Sequence, residues 1–196
     1  MSFSKNGYEV VRNIISKQLL QNLKIEFEML RDTEFFITGK KDKYAFGDDQ
    51  SPNSFSAYCA LCFDSLSLNL NDLMNEITGV TLYPTYTYAR IYYEGAILDP
   101  HTDRPSCEYS TTICIDSTDL WDFFIEDRNG EVNKIKLNPG DMCVYSGPEL
   151  KHWREPYTGE QHMQCFLHYV NSEGPYSNLK FGKRPMMGLP ATYRKE

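Results

Sequence analysis

The sequence predicts a mainly β domain with supporting α-helices: a sandwich or barrel of short strands behind a helical N-terminal third. Three observations carry this. From Leu82 to Tyr93 the chain alternates and is rich in aromatic and β-branched residues. Beyond it, short apolar runs recur between Gly, Pro and Asn turns, the pattern of many short strands. Before Gly79, apolar residues instead recur at three- and four-residue spacing, the helical period.

Taken in order, Ser16 is the N-cap of a first helix that buries Leu20, Leu23, Phe27 and Leu30 on one face. Residues 38–54 are polar and turn-rich and read as an exposed loop. A second helix is expected over 54–66, because Phe55, Tyr58, Cys59, Cys62 and Phe63 form a helical stripe. That stripe makes the lone Cys59/Cys62 pair core cysteines rather than a zinc or redox motif, since no second pair with ligand spacing follows. A third helix carries Leu70, Leu73, Met74 and Ile77 and ends at Gly79 as its C′ residue. Strands follow at 82–93, 108–116, 121–126, 132–137, 141–146 and 162–170, and Asn129–Gly130 signals a two-residue hairpin turn. The 196 residues divide into a helical support region (1–79), a strand-rich core (80–170) and a C-terminal extension (171–196) within one domain. The cations between Lys180 and Lys195 read as a solvated tail.

Composition narrows the functional classes. The chain is 41% hydrophobic and 14% aromatic, as a globular protein should be. A net charge of −7 argues against general binding to nucleic acid or anionic membranes. No run of 18 apolar residues is present to span a bilayer, and Met1–Gly7 lacks the apolar segment of a signal peptide. A reducing cytoplasmic location is expected.

The chemistry concentrates in His101, Asp103 and His152. Two imidazoles and one carboxylate can occupy one face of a metal octahedron and leave the other positions open, the arrangement that suits non-haem Fe(II). His101 and Asp103, at i and i+2, share a face if they lie on a strand. His152 is far downstream, so only a folded sheet brings it in. Asp141, in Pro139-Gly140-Asp141, reads as a turn residue, and Trp121, Trp153 and the tyrosines read first as core packing.

The flank of this motif gives it a context. Tyr92, Gly95, Leu98, His101 and Asp103 follow at the spacing of the prolyl 4-hydroxylase-like group of Fe(II)/2-oxoglutarate-dependent dioxygenases, and Pro139-Gly140-Asp141 precedes His152 as in that group. Over about residues 82–170 the chain resembles these enzymes. The resemblance implies a double-stranded β-helix (jelly roll) core with the N-terminal helices packed on one face. It also implies Fe(II) held by His101, Asp103 and His152, 2-oxoglutarate and O₂ as co-substrates, and ascorbate as a reductant. The reaction would hydroxylate an unactivated C–H of a small-molecule or peptidyl substrate, a prolyl peptide or proline-like molecule first among them, with release of succinate and CO₂.

Tyr92 matches the tyrosine that binds the distal carboxylate of 2-oxoglutarate. The cation beside it departs from the pattern: the Lys or Arg expected about ten residues after the distal histidine is His162, with His168 six further on. Either His162 or Arg154 can substitute, and Arg154 is favoured because it shares a strand face with His152 and stays charged. Arg104 would suit an anionic substrate if it reaches the cleft. The missing cation keeps a second reading open, a cupin-like metal- or ligand-binding module without 2-oxoglutarate turnover.

Overall fold

The computed structural model describes residues 2–40 and 46–194. Its elements are α1 (Ser2–Asn6), β1 (Tyr8–Val11), α2 (Lys17–Thr38), β2 (Ser54–Tyr58), α3 (Leu61–Asn69) and α4 (Asn71–Thr78). Then come β3 (Leu82–Tyr93), β4 (Leu98–His101), β5 (Tyr109–Ser117), β6 (Phe123–Glu126), β7 (Val132–Ile135), β8 (Met142–Tyr145), β9 (His152–Arg154) and β10 (Gln161–Asn171). Short 3₁₀ turns sit at Pro105–Cys107, Ser177–Lys183 and Ala191–Tyr193.

The strands form two antiparallel sheets: a six-stranded one in the order β1-β8-β5-β10-β3-β2 and a four-stranded one in the order β4-β9-β6-β7. Strand alternation sorts the side chains of the large sheet. Ala89, Ile91, Ile113, Ile115, Met142, Val144, Met163, Cys165 and Leu167 join Phe27, Phe63 and Met74 in the core under the helices. Their neighbours Cys114, Cys143 and Tyr145 face the other way and pack with Phe123, Ile125 and Ile135 of the small sheet. This is the jelly roll with helices on one face that the resemblance implied.

Ser16 caps α2, its hydroxyl accepting from the Leu19 N–H at 3.3 Å. Gly79 ends α4 in the left-handed conformation, φ 76°, and donates to the Asn75 carbonyl. Leu23 and Phe27 are buried as expected, whereas Leu30 is 40% exposed.

Four expectations need correction. Residues 54–66 are not one helix. Ser54–Tyr58 adds to the edge of β3, and α3 starts only at Leu61. Cys59 turns the chain between them with φ 54°, so the apparent stripe combined a strand, a turn and a helix. Both cysteines are free, and neither belongs to a metal-binding group among the described residues. Second, the N-terminal region is not purely helical, for β1 and β2 form both edges of the large sheet. Third, Asn129–Gly130 lies inside a longer turn from Asp127 to Glu131, closed because the Asp127 carboxylate accepts from the N–H groups of Asn129 and Glu131. Fourth, the C-terminal extension is no solvated tail: Arg184 is buried and paired with Asp64 at 2.7 Å. The loop expected at 38–54 is irregular where described; residues 41–45, and Lys195 of the tail, lie outside the described residues.

Candidate metal centre and co-substrate cavity

His101 and His152 stand directly opposite each other across the β4–β9 pair, which sets their ring centroids 4.4 Å apart. Each ring is aimed by a carbonyl two residues earlier. His101 Nδ1 lies 2.8 Å from the Asp99 oxygen, and His152 Nδ1 lies 2.9 Å from that of Leu150. Donation from Nδ1 leaves both Nε2 lone pairs free, the tautomer a metal requires. Both Nε2 atoms face Asp103 Oδ1, at 3.8 Å and 3.7 Å. These separations are too long for hydrogen bonds and leave room for an ion between the three groups. Burial pushes His152 below its usual pKa although Asp103 pulls the other way, a shift that favours the neutral ring.

Strand alternation is only part of how Asp103 reaches the pair. Strand β4 ends at His101, and Asp103 is anchored beyond it by donating its N–H to the Gly147 carbonyl at 2.9 Å. A Cβ on Gly147 would stand 2.5 Å from Asp103 Oδ2 and 2.4 Å from the Cys107 carbonyl, so only glycine fits. The outer carboxylate oxygen also accepts from Ser110 Oγ at 3.2 Å, and that hydroxyl contacts His168 Nδ1 at 2.9 Å.

The three groups open into a cavity of about 260 Å³ whose lining includes Tyr92, Arg104, Tyr145, Arg154 and His168. Arg154 is the unusual member. It is 1% exposed, lies over Trp121 and Phe123 with its guanidinium carbon 4.9 Å and 5.3 Å from their centroids, and donates through Nη1 to the Trp121 carbonyl at 2.7 Å. Its Nη2 is buried with no partner. Burial lowers its pKa while the surrounding hydroxyl and thiol groups, Tyr92 first, oppose the change.

His162 is placed otherwise. It is outside the cavity lining, and both ring nitrogens are partnered, Nδ1 with Ser117 Oγ at 2.8 Å and Nε2 with Gln164 Oε1 at 2.7 Å. Burial and the Arg154 charge depress its pKa to about 3, so it carries no charge to offer a carboxylate. Of the two substitutes the sequence left open, Arg154 has the free donor. Arg104 reaches the cavity, its guanidinium carbon 4.7 Å over the Tyr86 ring. Trp121 packs against Tyr92 at 5.0 Å and donates to the Glu155 carbonyl, while Trp153 stacks on Phe124 at 5.5 Å. Sequence reasoning missed Tyr145 and Ser110 as site residues; alternation along β8 and β5 from the buried Val144 and Thr111 was the only available signal.

No protein-family model and no curated protein matches the chain. Solved structures do. The chain is similar to a Pseudomonas putida prolyl-4-hydroxylase, with TM-score 0.66 and 14% identity over 87% of this chain and 95% of that one. It is similar to HygX from Streptomyces hygroscopicus, solved with nickel, 2-oxoglutarate and hygromycin B bound, with TM-score 0.67 and 12% identity over 88% and 86%. AviO1 from Streptomyces viridochromogenes Tue57 gives TM-score 0.68 and 19% identity over 88% and 93%. The chain therefore has the double-stranded β-helix fold of these structures, the fold its own motif implied.

Proposed function

We propose that the protein is an Fe(II)- and 2-oxoglutarate-dependent oxygenase that hydroxylates a C–H bond, a proline-like molecule or prolyl peptide being the first substrate class to test. The observation that carries this reading is the buried, half-satisfied guanidinium of Arg154 in the same cavity as the three metal ligands. An unpaired buried cation costs several kcal/mol, roughly, unless an anion completes it. A dicarboxylate that reaches from the ligand triad to Arg154 does so. The metal- and 2-oxoglutarate-bound state of HygX, a chain of the same fold, supports the same assignment. A simple metal-binding module has no use for that donor.

His101, Asp103 and His152 would hold the metal. Fe(II) there would supply the activation of O₂ that couples conversion of 2-oxoglutarate to succinate and CO₂ with conversion of R–H to R–OH. The protein's own groups do the rest. Asp99 and Leu150 fix the imidazole tautomers, and Gly147 and Ser110 fix the carboxylate. Arg154 and Tyr92 orient the co-substrate, with Trp121 and Phe123 excluding water behind the guanidinium so that its charge acts undiluted.

The test combines spectroscopy with one variant. Anaerobic Fe(II) plus 2-oxoglutarate should give a visible charge-transfer band, and Arg154→Ala should weaken 2-oxoglutarate binding by about 2–5 kcal/mol, roughly thirty- to several-thousand-fold. Absence of the band, with iron bound, would refute the reading.

A further inference from the structure

The cavity has a second charged end that neither the metal nor the co-substrate needs. Arg154 lies over Trp121, which packs on Tyr92, whereas Arg104 lies on Tyr86. These two tyrosines are on one strand, β3, six positions apart and so roughly 20 Å along it. The guanidinium groups therefore serve opposite ends of the space. Around Arg104, Tyr58 from β2 packs against Tyr88 at 4.4 Å and Tyr86 at 5.9 Å. Two hydroxyls of this wall are already engaged: that of Tyr86 with Cys107 Sγ at 3.0 Å, and that of Tyr88 donating to Asp48 at 3.2 Å. What the wall offers a ligand is ring faces, beside one cation.

Charge balance says what that cation awaits. Arg104 and Arg154 are the cations of the lining and Asp103 is its carboxylate. A divalent ion on neutral imidazoles and Asp103 leaves one positive charge, and the two guanidiniums raise this to three. The 2-oxoglutarate dianion removes two. One positive charge remains, and it belongs to Arg104, which has no ion pair among the described residues. The neighbouring Arg90, by contrast, is matched by Asp48 at 2.6 Å. An anion of charge one fits this residue better than a phosphomonoester does.

We infer that Arg104 and the Tyr58–Tyr86–Tyr88 wall form the substrate subsite of the proposed oxygenase, and that it takes a small monocarboxylate: the carboxylate on Arg104, a compact ring against the tyrosines. This rests on the oxygenase reading of the same cavity. It distinguishes a free ring carboxylic acid from a prolyl residue inside a peptide, which has no free carboxylate to offer.

The test uses full-length protein loaded with Ni(II) and saturated with 2-oxoglutarate, so that binding is read without turnover. Cyclopentanecarboxylate, cyclohexanecarboxylate and benzoate, each paired with its primary amide, are titrated by ligand-observed NMR and calorimetry. At least one acid should bind roughly tenfold or more tighter than its amide. Arg104→Gln should erase that difference by weakening the acid alone, and Arg104→Lys should restore part of it. Equal binding of acids and amides, equal weakening of both by Arg104→Gln, competition with 2-oxoglutarate as the sole mode, or no binding by any acid would each overturn the inference. Separate titration of 2-oxoglutarate tells the two failures apart. If that titration fails while Arg104 still selects acids, the oxygenase reading falls and the subsite stands; the reverse pattern leaves the oxygenase and removes the subsite.

Discussion

Asp103 depends on a residue that carries no chemistry. Gly147 accepts its N–H and leaves the space its carboxylate fills, with a Cβ at that position 2.5 Å from Oδ2. Gly147→Ala should therefore weaken metal binding while His101→Ala and His152→Ala abolish it, and all three should keep the native circular dichroism, because the core under the helices shares no residue with the cavity lining. Calorimetric titration of Fe(II) under argon measures this. Metal affinity of Gly147→Ala equal to the parent's would show that the carboxylate is positioned by something else. The same contrast explains what the sequence disclosed at this scale. His101, Asp103 and His152 were legible because their residue types and spacing are dictated by coordination chemistry. Gly147, Ser110 and Tyr145 were not, since strand alternation marks at most the face of Ser110 and Tyr145 and nothing local marks Gly147. His162 and Arg154 were both visible as substitutes, and only burial and hydrogen bonding separated them.

At the scale of the element, the turn before β8 is held by Asp141, which was expected to be no more than a turn residue. Its Oδ2 accepts from Arg12 Nη1 at 2.7 Å and from the Asn138 N–H at 2.9 Å, and its Oδ1 from the Asn13 N–H at 3.0 Å. It thus ties the β7–β8 turn to the chain between β1 and α2. Burial alone would raise its pKa, but Arg12 and the two backbone donors outweigh burial and hold the carboxyl below its usual value. A carboxyl depressed in the folded state adds stability that is complete above its unfolded pKa and is lost as pH falls through the folded value. Asp141→Asn should cost about 1–3 kcal/mol at neutral pH, and the gap should close below about pH 4. Urea midpoints against pH check this; a gap that persists unchanged into acid would remove the charge from the explanation. Elements with long, regular patterns, such as α2 and β3, were readable in advance. Strands β1, β4 and β9 are too short to show a period, and β2 was misread because Phe55 and Phe63 are buried in one core from two different elements.

The whole molecule is closed by a segment that its sequence makes look expendable. The run of cations after Lys180 has the composition of a solvated tail, yet its arginine is drawn inside: the Arg184 side chain is 0% exposed and that of Asp64 is 1%. Asp64, on α3, gathers three donors: Thr87 Oγ1 of β3 at 2.7 Å, Arg184 Nη1 at 2.7 Å and the Gly188 N–H at 2.8 Å. Arg184 in turn donates to the carbonyls of Phe181 and Leu189, so helix, sheet and C-terminal segment meet at one buried ion pair. Composition cannot reveal this, because the pairing partner lies 120 residues away. The strand it steadies is β3, which carries Tyr86, Tyr88 and Tyr92 into the cavity. Arg184→Met keeps the bulk but strands a buried carboxylate, at a cost of about 3–5 kcal/mol. Adding Asp64→Asn removes the stranded charge while its amide oxygen still accepts, so the double variant should recover part of the loss. Urea denaturation measures both steps, and limited proteolysis followed by mass spectrometry should show residues 173–194 protected in the parent and cut in Arg184→Met. A parent cut in this segment as readily as the variant, with unchanged midpoints, would return the segment to the status of a tail.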